Sequence, residues 1–230
     1  IIKKMPGRKV VLANNEIYHV FNRGHAFQPI FSSIKDYRRL INTFRYYRYS
    51  NPPVRLSKFL IIARDEREKI LKEMEEKQKK IIEIYCFCLM PNHYHLLLKQ
   101  IQDNGISQYM SKVQNSYGRF FNIKNNLIGS LFQGNFKAKR VETEEQLLHL
   151  SRYIHLNPFS SYVVKSIEKL KEYSWSSLPD YLNNQNSSPV NKNLILGYFK
   201  NIKDYQQFIF DQAEYQRELE NIKHLTWEND

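Results

Sequence analysis

Apolar positions along the chain fall into short alternating runs and longer stretches at helical spacing. Residues 16–22, Glu-Ile-Tyr-His-Val-Phe-Asn, mix β-branched and aromatic side chains and predict a strand closed by Arg23-Gly24. Residues 35–49 carry Tyr37, Leu40, Ile41, Phe44 and Tyr47 near helical spacing, and Pro52-Pro53 ends that helix. Residues 64–82 mix Glu and Lys, with Ile70, Leu71 and Met74 along one side, as a solvated amphipathic helix does. Two apolar runs, 83–89 and 93–99, flank the break Met90-Pro91-Asn92 and predict a β-hairpin. Residues 107–124 predict a helix with Tyr109, Met110, Val113, Tyr117, Phe120 and Phe121 as its apolar stripe. Residues 136–141, Phe-Lys-Ala-Lys-Arg-Val, alternate like a strand with one cationic face. Thr143 and Gln146 match a capping box, so a helix is expected from there to about Asn157, where Pro158 should stop it. Residues 183–193 are rich in Asn and Ser and read as a linker; 194–222 read as helical with a charged end.

The order strand, helix, strand, strand, helix, strand, helix predicts an α+β fold. It is a ferredoxin-like antiparallel sheet flanked by helices, with an extra C-terminal helical segment. The expected division is a catalytic domain over 1–182 and a linker with a helical appendage over 183–230.

Charge turns this fold toward a partner. The net charge of +12 over 230 residues points to a polyanion, most often nucleic acid. Sixteen Tyr and 14 Phe, interspersed with Lys and Arg, also suit stacking on unpaired bases. The two cysteines, Cys86 and Cys88, stand too close on one predicted strand to bridge each other. Reduced thiols and a cytoplasmic location are therefore expected. No apolar run reaches the length of a membrane span, and no membrane partner is expected.

Candidate chemistry comes from two short patterns. On a strand, side chains alternate, so His93 and His95 project from one face and could share a metal ion. An ordinary half-buried strand also carries such pairs. On the helix after Thr143, Tyr153 and Asn157 stand four apart and share a face. A phenol oxygen can act as a nucleophile, and an amide oxygen suits Mg²⁺ or Mn²⁺. Taken alone, Tyr153 reads sooner as a core or interface aromatic, one of 16 tyrosines. A rival set, Cys86, Cys88, His93 and His95, could hold zinc across the hairpin.

Longer motifs sharpen this choice. Leu89-Met90-Pro91-Asn92-His93-Tyr94-His95-Leu96-Leu97-Leu98 resembles the HUH motif of single-tyrosine transposases, and Arg152-Tyr153-Ile154-His155-Leu156-Asn157-Pro158 resembles their nucleophile helix. The branch resembled is the REP-associated tyrosine transposases. Tyr18-His19-Val20-Phe21-Asn22-Arg23-Gly24, Ile30-Phe31, Leu131-Phe132-Gln133-Gly134 and Trp175-Ser176-Ser177 with Tyr181 support it, in the same order. Three departures stand out: Asn135 where a basic residue is expected, the charged stretch 57–82, and Phe159-Ser160-Ser161-Tyr162 after the nucleophile helix.

The resemblance implies an HUH-type nuclease domain that cleaves and rejoins single-stranded DNA beside a hairpin, through a 5′-phosphotyrosine. Tyr153 would be the nucleophile. His93, His95 and Asn157 would hold a divalent ion, Mg²⁺ or Mn²⁺. His149, one turn before Tyr153, is a candidate proton acceptor. Arg8, Lys9, Arg23, Arg119, Lys137, Lys139 and Arg140 are the candidate backbone contacts. A monomer is expected, with exchange of the nucleophile helix between two subunits as the alternative. The rival function is a DNA-hairpin-binding protein that keeps the fold without the chemistry.

Overall fold

The computed structural model describes the backbone of residues 10–183 and 188–227 and the side chains as far as residue 220. A four-stranded antiparallel sheet lies at its centre. Its strands are β1 (Ile17–Arg23), β2 (Ile82–Met90), β3 (His93–Gln100) and β4 (Lys137–Val141), in the order β2-β3-β1-β4. β1 and β2 run parallel with β3 between them, which is the split arrangement of a ferredoxin-like sheet. The expected α+β class and sheet therefore stand.

Two helices cover one face: α1 (Ile34–Tyr46) and α4 (Gly105–Asn125). Alternation sends Tyr18 and Val20 of β1, and Tyr94, Leu96 and Leu98 of β3, into the core beneath them. Ser33 and Asp36 close a capping box at the start of α1. Between α1 and β2 lie α2 (Leu56–Phe59) and α3 (Arg64–Lys77). They form a small satellite core with Tyr46 and Tyr49, into which Met74 is buried. The outer face of α3 carries exposed i,i+4 ion pairs such as Arg64–Glu68, which add little stability.

The opposite face of the sheet is covered by α5 (Glu144–Ser160), capped by Thr143 Oγ1 accepting from Gln146 N at 3.1 Å. α5 does not stop before Pro158, as its sequence suggested, but runs on to Ser160. Proline removes one N–H, and this near the C-terminal end only one rung is missing. Ser161 N still donates to Asn157 O at 3.0 Å. Short helices α6 (Ile167–Lys171) and α7 (Leu178–Asn183) follow.

The helical segment expected over 194–222 is made of three helices: α8 (Asn193–Leu196), α9 (Ile202–Phe210) and α10 (Ala213–Trp227). Asn201 restarts the chain as an N-cap, its side chain accepting from Asp204 N at 3.0 Å. The segment read as an appendage supplies Ile195, Tyr205, Ile209 and Ala213 to the same core as α5. Among the described residues, no helix is long and apolar enough to cross a membrane.

Candidate active site

The site lies where α5 crosses the sheet. Because the β2–β3 turn ends at Asn92, His93, His95 and Leu97 share the face under α5, while Tyr94 enters the other core. The rings of His93 and His95 are 4.9 Å apart and nearly perpendicular. β1 pairs with β3 in the register Phe21–His95 and Arg23–His93, so His19 and Phe21 lie on this face too. His19 Nε2 is 2.9 Å from His95 Nδ1, and the two rings are stacked. His93 Nδ1 is 2.6 Å from Asn92 Oδ1.

Helical spacing on α5 brings Tyr153 and Asn157 down onto these histidines. The Tyr153 ring meets His95 edge-on at 5.5 Å and His19 at 6.2 Å. Asn157 is buried beside His93 and Tyr153. α10 clamps α5 from outside. Gln216 Nε2 donates to Tyr153 O at 3.2 Å, and Arg217 Nε to Phe159 O at 3.2 Å with its guanidinium over the Phe159 ring.

Two buried atoms in the site have no hydrogen-bond partner: His95 Nε2 and Asn157 Oδ1. A polar atom left alone in a protein interior costs about 1–3 kcal/mol, so each calls for a functional account. An imidazole nitrogen and an amide oxygen are both donors that a divalent cation accepts. The residues present therefore fit the metal that the resemblance implies.

Burial dominates the electrostatics. It lowers His93 to about 4, with Asn157 and Glu220 opposing and Arg23 assisting. Burial and then Lys139 lower His19 to about 4. Burial, His93 and His19 hold His95 well below its ordinary value. The three rings are thus neutral at pH 7, the form in which an imidazole can bind a metal. Burial and Glu220 raise the Tyr153 phenol to about 12, with Asn157 opposing. A phenol so placed keeps its proton until a positive charge or a base comes near it.

Other sequence candidates are distributed unevenly. Lys137 and Lys139 share the active face of β4 and are exposed. Arg140 points to the opposite face and pairs with Glu16 at 2.6 Å. Arg23 lies beside His93, bonded to Gln133 and stacked 3.9 Å from the Phe27 ring centroid. Arg119 is exposed on α4, across the sheet from Tyr153. Arg8 and Lys9 lie outside the described residues. His149 contacts Arg152, Glu145 and Phe208 on the outer side of α5. Cys86 and Cys88 are free and buried, and burial pushes both thiols up, away from the thiolate that zinc requires. Among the described residues no group of three or more His, Cys, Asp or Glu is arranged to hold a metal ion, so the zinc reading has no support.

Sequence reasoning gave no role to His19, Asn92 or Glu220. The signals for His19 were its place in the supporting motif Tyr18–Gly24 and on β1 in the same alternate set as Ile17, Phe21 and Arg23.

Residues 58–157 match the family described as "Transposase IS200 like". The matched segment contains His93, His95 and Tyr153 and ends on Asn157. The chain is also similar to a solved structure described as a REP-associated tyrosine transposase bound to a REP hairpin. The TM-score is 0.52 at 13% identity, covering 78% of this chain and 86% of that one. At that identity the likeness concerns the fold. No curated protein matches the chain.

Proposed function

We propose that this chain, whose residues 58–157 match the IS200-like transposase family, cleaves and rejoins single-stranded DNA beside a hairpin, with Tyr153 as nucleophile. The observation that carries this reading is the packing of the Tyr153 ring against His95, in a site that holds two unpartnered buried atoms, His95 Nε2 and Asn157 Oδ1. A purely structural cluster would not be expected to leave two buried polar atoms unsatisfied.

His93, His95 and Asn157 would hold a divalent ion, Mg²⁺ or Mn²⁺. That ion would supply positive charge against the non-bridging oxygens of the scissile phosphate. The chain's own residues do the rest. α5 fixes Tyr153 over the histidines, and α10 holds α5 in place through Gln216 and Arg217. The Tyr153 oxygen attacks phosphorus and loses its proton. The bond from phosphorus to the 3′ oxygen breaks, and that oxygen leaves as a hydroxyl after gaining a proton. A 5′-phosphotyrosine remains, and a later 3′-hydroxyl can reverse the step without ATP. Lys137 and Lys139, exposed on the same face, are placed to meet the DNA backbone, and Arg23 flanks His93.

The hairpin-bound fold relative supports a hairpin as the substrate element. A flanking single strand is required because a paired strand would have to be unstacked at a few kcal/mol to reach Tyr153. The test is incubation with a flanked hairpin and Mn²⁺, followed by denaturing electrophoresis. A covalent complex that disappears on chelation is the expected result. Binding without any adduct would instead make this a hairpin-binding protein that keeps the fold.

A further inference from the structure

An imidazole binds a metal only through a nitrogen that carries no proton. Its other nitrogen must then hold the proton and needs an acceptor, so a metal-binding histidine depends on a second group to set its tautomer. Both histidines of the pair have such a group at Nδ1. For His93 it is Asn92 Oδ1, at 2.6 Å. The Asn92 orientation is fixed on its other side, where Nδ2 donates to Phe27 O at 3.4 Å. An oxygen can only accept here, so His93 carries its proton on Nδ1 and leaves Nε2 bare. For His95 the partner is His19 Nε2, at 2.9 Å, and His95 Nε2 is the atom with no partner.

Between His19 Nε2 and His95 Nδ1 there is room for one hydrogen. If His19 donated it, the proton of neutral His95 would sit on Nε2, buried and unbonded. If His19 accepts, the proton lies in the hydrogen bond and Nε2 is left bare. The second arrangement leaves no donor of His95 unpaired. It also makes the two histidines alike, each an Nδ1–H donor with a bare Nε2. β1 enforces the geometry: Phe21 and Arg23 pair with His95 and His93, so His19 sits one alternate position along the same face, with little room to turn away. It is 8% exposed.

We infer that His19 is a positioning residue that accepts the Nδ1 proton of His95 and so keeps His95 Nε2 open for a divalent cation. The inference rests on the reading of His93 and His95 as metal ligands, and it assigns a task to a strand residue outside both recognisable motifs of the site.

The first measurement needs neither metal nor DNA. In the full chain with ¹⁵N-labelled histidine, long-range ¹H–¹⁵N correlation at neutral pH reports which ring nitrogen of His95 bears the proton. The proton is expected on Nδ1; a proton on Nε2 would overturn the inference. His19→Phe removes the acceptor and should move the proton partly or wholly to Nε2. His19→Gln keeps an acceptor oxygen and should retain the wild-type tautomer. The second measurement is Mn²⁺ titration of the same proteins without DNA. His19→Phe should weaken binding by about 10–100-fold, as losing an outer partner typically does, and His19→Gln should recover most of it. Unchanged tautomer and Mn²⁺ affinity in a folded His19→Phe would refute the role. If His19→Phe fails to fold, the wild-type tautomer and the His19→Gln titration still decide. Failure of the proposed DNA chemistry would show differently, as normal tautomer and Mn²⁺ binding with no phosphotyrosine adduct.

Discussion

Two buried histidines on neighbouring elements make opposite use of the same side chain. His155, on α5, has both ring nitrogens bonded, Nδ1 to Tyr205 Oη and Nε2 to Ser177 Oγ, each at 2.8 Å. It ties α5 to α9 and to the segment before α7, and Ser177 in turn bonds the Phe87 backbone. With serine, histidine and tyrosine in line it resembles a catalytic relay. Yet it is fully buried, every group in it is satisfied, and nothing is left to act on a substrate. His95 is buried to a similar degree but has one nitrogen bonded and one unbonded. Burial and a lowered pKa are common to both sites, so neither property separates function from architecture. Hydrogen bonding does: a fold satisfies a structural histidine, whereas a functional one keeps an atom in reserve.

The strongest break of this contrast is at the nucleophile. Tyr153→Phe removes only the phenol oxygen. It should abolish the covalent adduct, a loss of at least about three orders of magnitude in strand cleavage. Hairpin affinity by fluorescence anisotropy should be unchanged. Adduct at the wild-type level would remove Tyr153 from the mechanism.

His95→Ala and His155→Ala should then part company. The first is expected to lower Mn²⁺ affinity by more than the roughly 100-fold upper range for an outer partner, measured by calorimetric titration. The second should leave Mn²⁺ binding nearly intact but cost about 2–3 kcal/mol in urea unfolding. It opens a cavity and deprives Tyr205 of its partner. Equal stability losses with equal Mn²⁺ binding would erase the distinction between the two sites.

A smaller effect is expected at the rim. Replacing Lys137 and Lys139 together by Ala should reduce the salt slope of hairpin binding by about 2, one for each phosphate that a lysine no longer neutralises. Arg140→Ala, on the other face and paired with Glu16, should change that slope little. A larger change from Arg140 would put the DNA on the wrong side of β4.

The smallest effect concerns Asp36, a buried charge that, like His155, is fully used. Burial pushes its carboxyl up, but Lys124 at 2.6 Å and the Ser32 N–H and hydroxyl outweigh this and leave it below its ordinary 3.8. A carboxyl lowered on folding contributes stability above its unfolded value and loses it as pH falls through the folded one. Urea unfolding of Asp36→Asn should therefore lack part of the acid-side loss of stability below about pH 4, while Mn²⁺ binding stays unchanged. An acid limb identical to wild type would show that the ion pair contributes nothing.

Much of this was legible along the chain. A strand has period two, so His93 and His95 had to share a face wherever that strand went. A helix has period 3.6, so Tyr153 and Asn157 had to stand together on α5. The Pro-Asn break fixed the hairpin, and Thr143 with Gln146 fixed where α5 begins. These are local rules, complete within a few residues.

Where the chain departed from its own signals, distance along the sequence was the reason. Pro158 normally stops a helix, but packing of Phe159 in the core carries α5 one turn further. The C-terminal stretch read as helical without its breaks, yet Gly197 and the Asn201 cap divide it and fold it back over α5. His19 and His95 are 76 residues apart, and only the pairing of β1 with β3 brings their ring nitrogens to 2.9 Å. Sequence alone determined which side chains could act together within one strand or one helix, because backbone periodicity is a property of the residue repeat. Tertiary structure alone decided that α5 lies across β3, that His19 joins the site while His155 is absorbed into the core, and that Lys139 rather than Arg140 lies on the side of Tyr153. Strand register and helix docking are set by long-range burial of apolar surface, which no local pattern encodes.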